Sequence, residues 1–328
     1  MDSLNLIGKE QAFQTVSAAA LEGKLSHALV ITGEKGIGKS TFADAVCKLI
    51  FCSEEKKPCN ECKACRKIQK GIHPDIFKIY PAGKSETIGV NEIEIVKQNI
   101  YIKPNDSEFK VFIIYSAEKM NRFAQNALLK MVEEPPEYCY FIFTCQNLQA
   151  LLPTVRSRMV SVSLSAASKS EVERFLCETV PEISQAEASN AAERSRGILG
   201  LALELVTDLE TAELYKNLDD VAKAICDHDR ALLCLELGKY SKKKENALRL
   251  AELLSLVFRD VCVSSAGGKN VLSGCKSAVE QLSKTCSGKA AMEAMEACKS
   301  FVSAVRGNAN LALSLAAFEI TLGNIIRR

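Results

Sequence analysis

With 328 residues, 47% apolar and 25% charged, the chain has the composition of a globular protein large enough for two or three domains. Its 42 basic and 40 acidic residues leave a net charge of +2, so no global field demands nucleic acid or membrane as a partner. No run of 18 apolar residues is present and the opening stretch has no apolar secretory core, which makes a reducing cytoplasm the expected setting.

The first half alternates strand and helix signals. Apolar runs at residues 27–32, 75–80, 109–115, 140–144 and 159–164 predict strands. Between them, helical spacing is visible at 40–51 (Phe42, Val46, Leu49, Ile50), at 88–100 (Ile93, Val96, Ile100) and at 121–134, where Pro135-Pro136 ends the pattern. Such alternation predicts an α/β fold with a mostly parallel sheet covered on both faces. After Leu164 the chain turns to Ala, Leu, Glu and Lys at helical spacing. Ser168 or Ser170 can cap the first of these helices, and 184–194 and 199–209 continue the series. From about residue 210 the chain reads as helical to its end with a break near Gly267-Gly268. The last helix, 308–326, is apolar on several faces, as in a core helix.

Gly33-Glu-Lys-Gly36-Ile-Gly38-Lys39-Ser40 follows a strand and opens a helix, fitting G-x-x-x-x-G-K-[ST]. Glycines there let backbone N–H groups close round phosphates. Lys39 can reach the β- and γ-phosphates and Ser40, followed by Thr41, can ligate Mg²⁺. The expected ligand is ATP or ADP with Mg²⁺. Hydrolysis needs acidic residues at the end of a neighbouring strand. Here the strand ends Phe112-Ile-Ile-Tyr115-Ser116, and the nearest carboxylate, Glu118, lies beyond it. The loop therefore predicts nucleotide binding with suppressed turnover.

Fourteen cysteines are many. Cys47, Cys139, Cys145, Cys177, Cys226 and Cys234 stand singly in apolar runs and read as small buried hydrophobes. Cys52, Cys59, Cys62 and Cys65 instead form C-x₆-C-x₂-C-x₂-C, a spacing that lets four thiolates close a structural tetrahedral Zn²⁺ site. Lys56, Lys57, Lys63, Arg66, Lys67 and Lys70 surround the module. Contact with DNA phosphates is open to them, and a solvated face is the plainer expectation.

The order of motifs resembles the clamp-loader branch of the AAA+ ATPases. The matching pieces are the phosphate loop, the cysteine module, His73-Pro74-Asp75, the run from Asn126 to Pro136, and Leu152-Pro-Thr-Val-Arg156-Ser157-Arg158. The resemblance spans about residues 5–205. It implies an AAA+ P-loop core over 1–165 with the zinc module inserted at 52–65, a helical lid over 166–208, and an all-α collar over 209–328. It also makes Arg158 of Ser157-Arg158-Met159 the counterpart of a finger arginine acting on a neighbour's nucleotide, with Met159 where the family has Cys. The family's ATPase subunits carry a lid arginine in Gly-Ser-x-Arg, and the stretch here is Gly197-Ile198-Leu199-Gly200. Loss of the acidic pair and the lid arginine beside a retained finger resembles the delta-prime type of subunit, a stator within the polymerase assembly with no ATPase of its own. The implied partners are gamma/tau and delta subunits, the sliding clamp and primed DNA, without a membrane. An active gamma/tau-like ATPase using Glu118, and a zinc-dependent nucleic-acid-binding module with a vestigial phosphate loop, are the competing expectations.

Overall fold

A computed structural model describes residues 6–83, 86–268 and 271–325. The chain divides into two compact units. One takes the chain up to Phe175 together with Gly197–Gly200, and the other Leu176–Arg196 and everything from Leu201.

In the first unit, β1 (Ala28–Thr32), β2 (Ile76–Ile79), β3 (Lys110–Ile114), β4 (Cys139–Cys145) and β5 (Val160–Ser163) form a parallel sheet in the order β2-β3-β4-β1-β5. Period-two alternation sends neighbouring residues to opposite faces. Leu29, Ile31, Val111, Ile113 and Ile142 pack with Phe13 and Val16 of α1 (Glu10–Leu21) and with Phe42, Val46 and Leu49 of α2 (Lys39–Phe51). Val30, Phe112, Ile114, Phe141 and Phe143 pack with Ile93 and Val96 of α4 (Val90–Asn99) and Leu128 of α5 (Arg122–Glu133) on the other face. The remaining helices of this unit are α3 (Lys63–Gln69), α6 (Pro153–Arg156) and the start of α7 (Lys169–Thr179). The sheet and the five strands match the α/β expectation closely. Neither α1 nor α3 was expected: α1 buries only Phe13 and Val16, and α3 is seven residues long, so neither shows a strong apolar stripe.

Local chemistry sets the element ends. Asn121 accepts the Ala124 N–H at 2.8 Å and starts α5, while Ser168 with Glu171 starts α7. Asp75 is wholly buried, and its carboxylate accepts the N–H groups of Asn105 (2.6 Å) and Asp106 (2.9 Å) and the Ser107 hydroxyl (3.1 Å). It fixes the loop before β3.

The second unit is helical: α8 (Gln185–Ser195), α9 (Leu199–Thr207, its first two residues in the first unit), α10 (Leu209–Cys226), α11 (Arg230–Gly238), α12 (Lys244–Ser265), α13 (Lys276–Thr285), α14 (Gly288–Arg306) and α15 (Leu311–Ile325). Its core gathers Leu218, Val221, Leu254, Val257, Phe258 and Cys298. Two expectations are corrected. α15 is not a core helix: it buries Leu315, Phe318 and Leu322 but exposes Leu313 and Ile320, and the expected last residue, 326, lies outside the described residues. Cys177 and Cys234 are exposed and Cys226 half-buried, whereas Cys47, Cys139 and Cys145 are buried as expected.

Asp75→Ala leaves three donors without their acceptor and is expected to lower the unfolding free energy by about 3 kcal/mol, measured by urea unfolding followed at the sheet.

Candidate functional site

The phosphate loop joins β1 to α2 at the point where the sheet's connections reverse direction, β1 leading out to β2 on one edge and β5 lying on its other side. Gly38 caps α2 with φ 107°, no side chain caps the helix, and a Cβ built on Gly38 would meet nothing within 4 Å. The helix N-terminus is thus bare and open, as an anion requires, and only glycine takes this backbone without strain. Lys39 Nζ donates to the carbonyls of Gly33 and Glu34, both at 2.8 Å. Burial holds its ammonium below the ordinary lysine pKa, while Glu118, Cys145 and Glu34 pull it back up. Ser40 and Thr41 are exposed in the first turn of α2, beside Lys39. Gly33, Gly36, Gly38, Lys39, Ser40 and Thr41 therefore lie together in the loop and the first turn of α2, a set that could hold a nucleotide's phosphates.

The end of β3 beside this cradle carries no carboxylate. Tyr115 is buried and stacks on Tyr80, with ring centroids 4.6 Å apart and planes 6° from parallel. Ser116 adopts a left-handed backbone (φ 53°) and donates its N–H to Thr144 Oγ1 at 3.0 Å. Glu118 accepts the Gln146 N–H at 3.2 Å, and its charge acts on Lys39.

Gly200, at the lid-arginine position of the resemblance, donates its N–H to the Gly36 carbonyl at 2.9 Å. A Cβ on Gly200 would lie 2.8 Å from both Cα and the carbonyl oxygen of Gly36. The start of α9 thus rests on the loop so closely that no side chain fits between them.

Arg158 follows α6 and precedes β5. Leu29 lies beside Val160 in the β1–β5 pairing, about 13 Å along the strands from Gly33, and Arg158 sits in the turn before Val160, at the end of the sheet away from the loop. Its guanidinium donates to the Thr154 carbonyl (2.6 Å) and Ser157 Oγ (3.3 Å) and pairs with the Glu133 carboxylate. The residue that ties the two supporting helices together, Gln125, is buried in α5. It donates to the carbonyls of Met120 (3.0 Å) and Ala150 (3.3 Å) and accepts the Leu152 N–H (2.7 Å). Gln125 did not stand out in the sequence, and Glu133 did so only as part of the run from Asn126 to Pro136, with no role attached; a further signal was a glutamate at a helix C-terminus, where the helix dipole disfavours it.

The sulfurs of Cys52, Cys59, Cys62 and Cys65 all lie within 4.8 Å of one another, a donor set that could hold a metal ion. Backbone N–H groups point at them: Cys59 to Cys52 (3.4 Å), Glu61 and Cys62 to Cys59 (3.4 and 3.2 Å), and Cys65 to Cys62 (3.5 Å). The Cys62 and Glu61 amides pull the Cys59 thiol down to about 7, whereas burial pushes Cys52 and Cys65 up. A divalent cation bound there would supply the positive charge that lets all four ionise. Of the nearby basic residues, Lys63 and Lys67 pair with Asp106, and Arg66 Nε bonds the Glu61 carbonyl.

Comparison with known proteins finds similarity concentrated in the first unit. The family model described as DNA polymerase III, delta subunit, matches residues 8–168. The DNA polymerase III subunit gamma of Buchnera aphidicola subsp. Schizaphis graminum is 34% identical over 173 residues, covering 52% of this chain and 47% of that protein. Subunit tau of Bacillus subtilis is 35% identical over 156 residues, covering 47% and 27% respectively. The chain spans less than half the length of these relatives. Among solved structures, a DNA polymerase III gamma subunit-related protein of Thermotoga maritima aligns with a TM-score of 0.49 at 17% identity, covering 96% of this chain and all of the other.

Within the cradle, Gly200→Ala forces a methyl against the Gly36 backbone and is expected to cost about 1–3 kcal/mol of stability, read as a lower thermal unfolding midpoint of the full chain. An unchanged midpoint would mean that the start of α9 moves away freely.

Proposed function

We propose that this chain, over residues 8–168 a member of the DNA polymerase III delta-subunit-like clamp-loader family, is a delta-prime-type stator that completes a neighbour's ATP site. It binds nucleotide without efficient turnover and offers Arg158 to an adjacent gamma/tau-type subunit while the assembly, with delta, loads a sliding clamp onto primed DNA. Residues of about 166–208 serve as the lid and 209–328 as the collar that joins sister subunits.

The observation that carries this reading is the β1–β5 register. It sets Arg158, in the turn before β5, toward the end of the sheet away from its own phosphate loop, so the arginine is better placed for a nucleotide bound next door than for one bound in the same chain. A permanently charged, planar guanidinium suits the charge that develops on a γ-phosphoryl group, and a precisely placed one is worth orders of magnitude in rate. Tyr115 and Ser116 at the end of β3 remove the carboxylates that would hold Mg²⁺ in this chain's own site, and Gly200 removes the lid's contact with phosphate. Glu118 favours a second reading, an active gamma/tau-like motor, because its charge reaches Lys39. A single carboxylate held by the Gln146 amide supports turnover less well than a pair at the strand end.

The four cysteines are assigned to a structural Zn²⁺, closed to water by its fourth thiolate. With Lys63 and Lys67 engaged by Asp106, the basic residues around it serve as a solvated face in preference to a DNA contact.

The purified chain alone is expected to show no steady-state ATP turnover. Mixed with its ATPase partners, clamp and primed DNA, the complex should lose about tenfold of its stimulated rate on Arg158→Ala, with assembly intact. Robust turnover by the chain alone that vanishes on Lys39→Ala would establish the motor instead. Elemental analysis should find one zinc per chain. Cys62→Ser should lose it and lower the unfolding midpoint by about 5–10 °C, and metal-free protein with the wild-type midpoint would remove the zinc assignment.

A further inference from the structure

We infer that Glu133 is the positioning residue for Arg158, an inference that rests on Arg158 acting in trans. The pair joins the last residue of α5 to the residue just beyond α6, 25 positions apart in sequence. Among the described residues three contacts define the guanidinium: the Thr154 carbonyl near the start of α6, the Ser157 hydroxyl and the Glu133 carboxylate. The first two come from the arginine's own turn and follow it wherever it moves. Among the described residues, only Glu133 fixes the fork to a separate element, and that element is tied to the segment before α6 by the buried Gln125. The direction of the guanidinium is therefore set from α5.

Glu133 has no local reason to be there. A carboxylate in the last turn of a helix opposes the macrodipole, and Glu134 and Glu137 follow closely, adding like charge. An acidic residue placed against local preference and matched to one arginine is the pattern expected where function outweighs local stability.

The strength of the pair suits positioning without capture. Arg158 is 36% and Glu133 41% exposed, so solvent screens their attraction and the bond is weak. A phosphate brought up at a subunit interface excludes that water and carries more charge, and the arginine's remaining donors can turn to it. Because the side chain is already confined to one direction, less freedom is lost when the neighbour's nucleotide arrives.

The test is steady-state ATPase of the assembled complex, with clamp and primed DNA, carrying Glu133→Ala, Glu133→Asp, Arg158→Ala or the double substitution. Glu133→Ala should lower kcat about threefold with KM for ATP unchanged, and Glu133→Asp should recover most of that loss. In the Arg158→Ala background, Glu133→Ala should cost nothing further, which a purely structural role would not produce. Thermal unfolding of each variant checks that the fold is retained; should Glu133→Ala unfold, Glu133→Gln takes its place, with the same losses expected. Wild-type kcat in Glu133→Ala beside an impaired Arg158→Ala would overturn the inference and leave the finger standing, as would additive losses. Full activity in Arg158→Ala would remove the finger and this inference together.

Discussion

The parallel pairing of β1 with β5 is the constraint from which the rest follows. Parallel strands put every carboxyl end on one side of the sheet, so a loop after β1 and a residue before β5 must stand at opposite ends. The distance between them is held by a stiff core. Phe77, Phe112, Phe141 and Phe143 stack in series across three strands at centroid separations of 5.2, 5.5 and 6.2 Å. Offset aromatic stacks of this kind resist sliding, and close packing leaves the sheet little room to bend. A chain built so carries its glycine-rich loop at one end of the sheet and the Arg158 guanidinium toward the other.

The departures around the cradle differ physically. Tyr115 and Ser116 take away charge: the strand end that would gather a metal is closed by a ring stack and a backbone hydrogen bond to Thr144. Gly200 takes away space. The cradle itself is kept, with the bare helix N-terminus at Gly38 and the lysine turned in over the loop's own carbonyls. Binding a phosphate and cleaving it draw on different atoms of such a pocket, so one set can be kept where the other is replaced.

Much of this could be read before any coordinates. The strands announce themselves as short apolar runs, the glycine-rich loop by its glycines, and the four clustered cysteines by spacings short enough for one turn of backbone. What could not be read were contacts made across the fold. Glu133 and Arg158 lie 25 residues apart, and no local periodicity joins them. The same holds for Asp106 with Lys63 and Lys67, and for Gly200 with Gly36. Cys177 and Cys234 were misjudged because apolar neighbours in sequence say little about which side of a helix a residue occupies. α15 misled for a related reason: an apolar helix can still turn Leu313 and Ile320 to the surface when one stripe is enough to hold it.

The contact between Gly200 and Gly36 also bears on how such a chain could change over generations. Regaining a lid arginine by a single codon change would press a side chain into backbone already 2.8 Å away, so the first step carries a loss of folding before any gain in chemistry. The carboxylates at positions 115 and 116 would have to return as well, each into a site now filled by other contacts. Single substitutions toward that arrangement are therefore penalised one by one, and sterics at the loop hold the present residues in place independently of any advantage they confer.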